Sequence, residues 1–265
     1  MKVMADENIP YLKECLPTEC ELTLLSGREI SHEHLKGQDV LLVRSVTPVN
    51  SALLNETSIT FVGSTTIGTD HIDLDYVQKR QITFAHAPGS NANSVVEYVL
   101  SALFTLYQQQ RIDIKKITVG IIGFGHVGSR LYSVLQKLSI SACVYDPFLE
   151  QSLPLQQQKI PFVSLDTVLS CDAVTIHVPL THQGSFPTYH LLHAENLCRL
   201  KKNAILINTA RGAAIDQSAL KILLKKRKDV CVILDVWENE PHIDLELLRA
   251  CTFSSPHIAG YSLDG

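Results

Sequence analysis

Gly123-Phe124-Gly125-His126-Val127-Gly128 constrains this chain more than any other stretch. An apolar run over residues 117–122 precedes it and reads as a buried strand. Residues 129–138 follow, with Leu131, Val134, Leu135 and Leu138 at helical spacing. Strand, glycine turn and helix in that order is the context in which G-x-G-x-x-G binds a dinucleotide. The first glycine permits the turn, the second lets backbone approach a pyrophosphate, and the third lets helix pack on strand. The free N–H groups and positive dipole end of the helix then face the phosphates. Taken alone, the spacing also fits a plain turn.

The next strand, residues 141–145, ends in Asp146-Pro147. An acidic residue about 20 residues beyond the glycines can accept hydrogen bonds from the adenosine ribose. Its charge repels a ribose 2′-phosphate, which favours NAD over NADP. The alternative is that Asp146 only starts a turn before Pro147.

The rest of the chain repeats the strand–helix alternation. Ahead of the glycines, strands are expected over 2–6, 21–25, 39–44, 60–63 and 82–85, with helices over 8–16, 49–55 and 74–80. Residues 93–110 carry the longest helical pattern, with Asn93 or Ser94 as cap, and read as a connector between two domains. Beyond Asp146 a glutamine-rich, loop-like segment runs to residue 160. Helices follow over 164–170, 191–200 and 216–226, and strands over 173–178, 204–207, 230–234 and 252–254. Such alternation gives α/β architecture with doubly wound parallel sheets, and ligands sit beyond the carboxyl ends of the strands. Arg44-Ser45 and Ser64-Thr65-Thr66 lie at two such ends, as contacts for a small polar ligand or as ordinary polar loops.

Three strand ends in the second half present Arg211, Glu240 and His257. Oxidation of an alcohol by a nicotinamide needs a base for the hydroxyl proton and a cation for an acid substrate. Imidazole titrates near neutral pH, so His257 suits the first task. A permanently charged fork matched to carboxylate suits Arg211 to the second. Glu240 would orient the His257 ring and favour its protonated form. Singly, each also reads as a packing or surface residue. The other histidines, His190 among them, read as structural or solvated, and Trp237 as packing.

Bulk properties narrow the field. A formal net charge of −4 offers no basic face for nucleic acid, and Lys225-Lys226-Arg227-Lys228 suits a helix C-terminus. No apolar run approaches membrane-span length, and residues 1–10 lack the apolar core of a signal peptide. Seven cysteines without a C-x-x-C pair fit reduced thiols in the cytoplasm and argue against a structural metal.

Four ordered motifs carry a resemblance. Gly123 to Gly128, Asn208-Thr209-Ala210-Arg211-Gly212, Asp235-Val236-Trp237-Glu238-Asn239-Glu240-Pro241 and Pro256-His257-Ile258-Ala259-Gly260 resemble the signatures of D-isomer-specific 2-hydroxyacid dehydrogenases. Met1 to Pro10, Val43 to Thr47, Phe61 to His71, Ala87 to Asn93 and His257 to Ser262 extend it over essentially the whole chain, toward members acting on 4-phospho-D-erythronate. The resemblance implies a flavodoxin-like substrate domain over 1–92 and a Rossmann NAD-binding domain over 93–256, with linker helix 93–110. It implies NAD-dependent oxidation of 4-phospho-D-erythronate to 2-oxo-3-hydroxy-4-phosphobutanoate, in the synthesis of pyridoxal phosphate. The alternatives are another D-2-hydroxy acid, such as 3-phosphoglycerate or glycerate, and a non-catalytic NAD-binding protein. By the resemblance, Arg211, Glu240 and His257 form the catalytic set, and Ser45, Thr66 and Tyr261 contact substrate. Gly123, Gly125, His126, Val127, Gly128, Asp146, Val178, Thr209, Ala210, Arg211, Asp235 and Gly260 contact NAD. Val178 stands where the family often has threonine, so only a backbone contact is expected there. Family members continue past this last motif with a return helix and a dimerisation domain. Residues 257–265 are expected to begin that return. A homodimer is the family's form, and a chain naturally ending at Gly265 is expected to be weak or inactive.

Overall fold

The structure, a computed structural model, describes residues 1–66, 68–152 and 160–261. It divides into two compact units, one over Met1–Asn91 and a second beginning at Ala92. Each is built on a parallel sheet, the α/β class read from the sequence.

In the first unit, strands β1 (Lys2–Asp6), β2 (Glu21–Leu25), β3 (Val40–Val43), β4 (Phe61–Ser64) and β5 (Thr83–His86) lie in the order β2-β1-β3-β4-β5. Helices α1 (Leu12–Cys15), α2 (Ser51–Leu54) and α3 (Leu74–Lys79) connect them. Met4, Leu41, Val43, Leu54 and Val62 form the core. The expected helix over 8–16 contracts to α1. Asp6 Oδ1 accepts the Asn8 N–H at 2.9 Å, and Tyr11 takes a left-handed φ of 57°. That local carboxylate turn outcompetes helical bonding at the first residues.

The second unit opens with α4 (Ala92–Gln108), whose Val96, Val99, Leu103 and Leu106 are buried at helical spacing. Neither Asn93 nor Ser94 caps it, because the helix already runs from Ala92. Strands β6 (Thr118–Ile122), β7 (Ser141–Tyr145), β8 (Ala173–Ile176), β9 (Ile205–Asn208), β10 (Cys231–Leu234) and β11 (Phe253–Ser254) follow. Their order is β11-β10-β9-β8-β6-β7, all parallel. The sheet is buried on both faces, which explains its near-continuous apolar strands. Val119, Ile121, Ile205, Ile207 and Ile233 pack on one side with α4 and with α5 (His126–Lys137). Ile122, Val174, Leu206, Val232 and Leu234 pack on the other with α9 (Gln217–Lys226). Trp237 is buried in that second layer, the packing role expected of it.

Four local differences have physical causes. α5 starts at His126 rather than Ser129, so the third glycine lies inside its first turn. The segment after Asp146 is not all loop: α6 (Pro147–Ser152) begins there, its Leu149 N–H donating to Asp146 Oδ1 at 3.0 Å. Residues 153–159 of that segment lie outside the described residues. The helix expected over 191–200 shrinks to α8 (Ala194–Leu197), because Leu192 is drawn into a bridge with Ile215. A helix unforeseen in the sequence, α10 (Leu245–Ala250), is capped by the Asp244 carboxylate on the Glu246 and Leu247 N–H groups. Between α6 and α8 the helix expected over 164–170 is α7 (Leu165–Leu169), capped by Ser164.

Candidate active site

β6 pairs with β7 on one side and β8 on the other, so the chain reverses its direction of winding at β6. A crevice opens at such a switch point, outside the carboxyl ends of the strands. The glycine turn sits there. Gly123 holds a φ of +91°, which an L side chain rarely adopts, and a Cβ on Gly128 would stand 2.0 Å from the Gly123 carbonyl oxygen. Gly125, by contrast, faces open space and precedes α5 without any side-chain cap. Gly125 itself offers no capping side chain, and His126 and Val127 start that turn.

A cleft of about 190 Å³ adjoins the turn, bounded by Gly123, Gly125, Asp146, Phe148, Val178 and Phe186. Asp146 is part of its wall. Its Oδ2 accepts the Phe124 N–H at 2.8 Å, which ties the turn to the start of α6. A carboxylate at the cleft, an open glycine and an uncapped 12-residue helix together fit a dinucleotide. Desolvation pushes the His177 imidazole down to about 3, so it stands neutral, with Nε2 2.9 Å from Thr175 Oγ1.

The three residues read as chemical lie beyond three neighbouring strands: Arg211 after β9, Glu240 after β10 and His257 after β11. Glu240 Oε2 meets His257 Nδ1 at 2.9 Å, with both side chains mostly buried. The other oxygen, Oε1, accepts the Trp237 N–H at 2.9 Å. Asp235 is 1 % exposed, and its carboxylate accepts Ser255 Oγ–H at 2.6 Å, Ile258 N–H at 2.8 Å and Ala259 N–H at 2.9 Å. It therefore shapes the loop that carries His257, which takes a left-handed φ of 61°. The Arg211 carbonyl accepts from Asn208 Nδ2 at 2.9 Å, and Ala210 N–H donates to Asn208 Oδ1 at 3.0 Å. The adjacent Thr209 hydroxyl oxygen is buried and has no hydrogen-bond partner among the described residues. Tyr261 is half-exposed, four residues beyond His257, and its N–H donates to the Ile258 carbonyl at 2.8 Å, so Gly260 lies within a turn.

In the first unit, Ser45 follows β3 and Thr66 follows β4, adjacent strands of that sheet. Thr66 Oγ1 lies 3.0 Å from Ser64 Oγ, which is also 3.3 Å from His71 Nε2. Arg44, beside Ser45, is 8 % exposed.

One histidine expected to be structural or solvated has a carboxylate partner beside the site. His190 Nε2 lies 2.6 Å from Glu238 Oε1, a second histidine–carboxylate pair two residues from the Glu240 pair. The one sequence signal for the pair is Glu238, the first glutamate of Glu238-Asn239-Glu240.

Residues 100–259 match the model of the D-isomer specific 2-hydroxyacid dehydrogenase, NAD binding domain. The chain belongs to that family, and is an NAD-dependent oxidoreductase of the fold just described. Among its relatives, an erythronate-4-phosphate dehydrogenase of Hahella chejuensis is 50% identical over 265 residues, covering 100% of this chain and 68% of the relative. One from Azotobacter vinelandii is 47% identical over 267 residues, covering 100% of this chain and 69% of the relative. Among solved structures, NAD⁺-bound 3-phosphoglycerate dehydrogenase of Entamoeba histolytica aligns with a TM-score of 0.79 at 22% identity, over 100% of this chain and 89% of that one. D-lactate dehydrogenase of Aquifex aeolicus, complexed with NAD and lactic acid, aligns at 0.78 and 24%, over 99% and 90%. These two bear on the fold. Among the described residues no helix is long and apolar enough to cross a membrane.

Proposed function

We propose that this chain oxidises 4-phospho-D-erythronate to 2-oxo-3-hydroxy-4-phosphobutanoate with NAD, as a cytoplasmic step toward pyridoxal phosphate. The observation that carries the reading is the Glu240–His257 pair, set at 2.9 Å in a chain 50% identical to an erythronate-4-phosphate dehydrogenase. When bound, NAD supplies the acceptor for the hydride that leaves C2 of the substrate. His257 Nε2 takes the C2 hydroxyl proton as the C2–H bond breaks, so the C–O bond becomes a carbonyl. Glu240 fixes the ring through Nδ1 and stabilises the imidazolium that results. Arg211 holds the substrate carboxylate with its guanidinium fork and polarises the oxygen at C2.

The unit over 1–92 acts as the substrate domain and the segment 93–256 as the cofactor domain, joined by linker helix 93–110. Ser45, Thr66 and Tyr261 contact the substrate, and Arg44 is a partner for its phosphate. Gly123, Gly125, His126, Val127, Gly128, Asp146, Val178, Thr209, Ala210, Asp235 and Gly260 line the NAD side. A homodimer is the assembly carried over from the family, which light scattering of the chain tests.

A panel of 2-hydroxy acids, followed by NADH formation, tests the substrate. Faster turnover of 4-phospho-D-erythronate than of 3-phosphoglycerate or glycerate is expected. Preference for a phosphate-free acid would overturn the choice.

A further inference from the structure

The His190–Glu238 pair encloses the loop that carries Arg211. Three segments stack there. His190 N–H donates to the Ala213 carbonyl at 2.7 Å, and Leu192 N–H to the Ala214 carbonyl at 3.1 Å. On the opposite side, the Trp237–Glu238 backbone lies so close to Gly212 that a Cβ there would meet the Trp237 carbonyl carbon at 2.0 Å. The Arg211 loop is thus sandwiched between residues 190–192 and 236–238. His190 Nε2 and Glu238 Oε1, at 2.6 Å, join the two outer segments. Glu238 Oε2 also accepts the Gln217 N–H at 3.2 Å, which ties in the far end of the same loop. Tyr189 stacks on the His190 ring, with centroids 4.0 Å apart and planes 16° apart, and holds its orientation.

The segment that supplies Glu238 supplies Glu240 two residues later, and Glu240 holds His257. A shift of the Trp237–Glu240 segment therefore moves both the cation and the base. Displacements near 1 Å at reacting groups cost about a hundredfold in rate.

We propose that His190 and Glu238 are positioning residues that brace the Arg211 loop and set the carboxylate-binding geometry of the site. The inference rests on Arg211 as the group that holds the substrate carboxylate. Both brace residues act through Arg211 rather than on the substrate itself.

The test uses the full chain. NADH binding is followed by its fluorescence. Oxalate, a planar stand-in for a 2-oxo acid, is then titrated into the NADH-loaded protein by calorimetry. His190→Ala weakens oxalate by about tenfold or more, and NADH, which also meets the Thr209–Ala210 part of the loop, by distinctly less. Glu238→Ala reproduces the effect, and covers the case in which the histidine variant does not fold. His190→Gln, which keeps a donor near the Nε2 position, restores most of the affinity. Added to Arg211→Lys, His190→Ala costs less than about threefold more, because both act through one contact. Unchanged oxalate binding in the two brace variants, parallel loss of NADH, or full additivity with Arg211→Lys would overturn the brace. Wild-type protein that binds oxalate independently of Arg211 would overturn the Arg211 reading and the brace with it. Normal oxalate behaviour without turnover of 4-phospho-D-erythronate would sink the substrate alone.

Discussion

Glu240 holds His257 at 2.9 Å through Oε2 and takes the Trp237 N–H at 2.9 Å through Oε1. Both oxygens of one carboxylate are fixed, so the ring it orients has little freedom. With the proton accepted at Nε2, His257→Ala should lower kcat by about 10²–10⁴. NADH fluorescence should still report binding, because the residue is placed at the substrate. Glu240→Gln keeps a hydrogen bond but removes the carboxylate charge beside the ring, and should also slow turnover. Steady-state assays at several pH values check both, and wild-type kcat in His257→Ala would remove the residue from the mechanism.

Asp146 joins the glycine turn to α6 through Phe124 and Leu149 N–H groups. It also lines the cleft beside the glycine turn. Asp146→Ala should shift the NADPH-to-NADH affinity ratio upward by about tenfold, because repulsion of the 2′-phosphate is lost. It should also cost about 1 kcal/mol of stability, the usual worth of a lost cap. Fluorescence titration with each nucleotide and thermal unfolding measure the two effects separately. An unchanged affinity ratio would leave Asp146 as a capping residue only.

The glycines of the turn should respond differently to the same change. Gly128→Ala places a methyl 2.0 Å from the Gly123 carbonyl, so overpacking of about 1–3 kcal/mol is expected. Gly125→Ala meets nothing within 4 Å among the described residues and should leave the melting temperature nearly unchanged. It should nevertheless weaken NADH, since its Cβ enters the space the pyrophosphate needs. Equal effects of the two variants on melting would contradict the turn geometry.

His177 gives the second unit an acid sensitivity. Its imidazole is held near 3 by desolvation, below the ordinary 6.5. The unfolded chain therefore binds more protons than the folded one between those values. Stability contributed by the neutral ring is complete above about pH 6.5 and falls as pH drops toward 3, by at most about 1.4 kcal/mol per unit. His177→Gln should flatten the fall of unfolding free energy between pH 6.5 and 4. Denaturant titrations across that range check it, and an unchanged slope would refute the assignment.

The strand–helix alternation was legible because buried parallel strands read as continuous apolar runs, as Val230 to Leu234 does. α9 was legible too, with Asp216 accepting the Ala219 N–H at its start. The reading faltered where tertiary pairing overrode local pattern. Leu192 bridges Ile215 instead of continuing a helix, and α10 is short enough to hide in an acidic stretch.

The sequence alone determined the glycine turn, the order of the strands along the chain and the residue types at their carboxyl ends. Those are local properties: a period, a missing Cβ, a charge after an apolar run. Only the tertiary structure decided that β9, β10 and β11 are neighbours, which brings Arg211, Glu240 and His257 to adjacent strand ends. It also decided that Asp235 is spent on the N–H groups of the His257 loop, and that Glu238 takes His190 across 48 residues. Partner choice for a carboxylate depends on which donors packing brings within about 3 Å. No spacing in the chain encodes that distance.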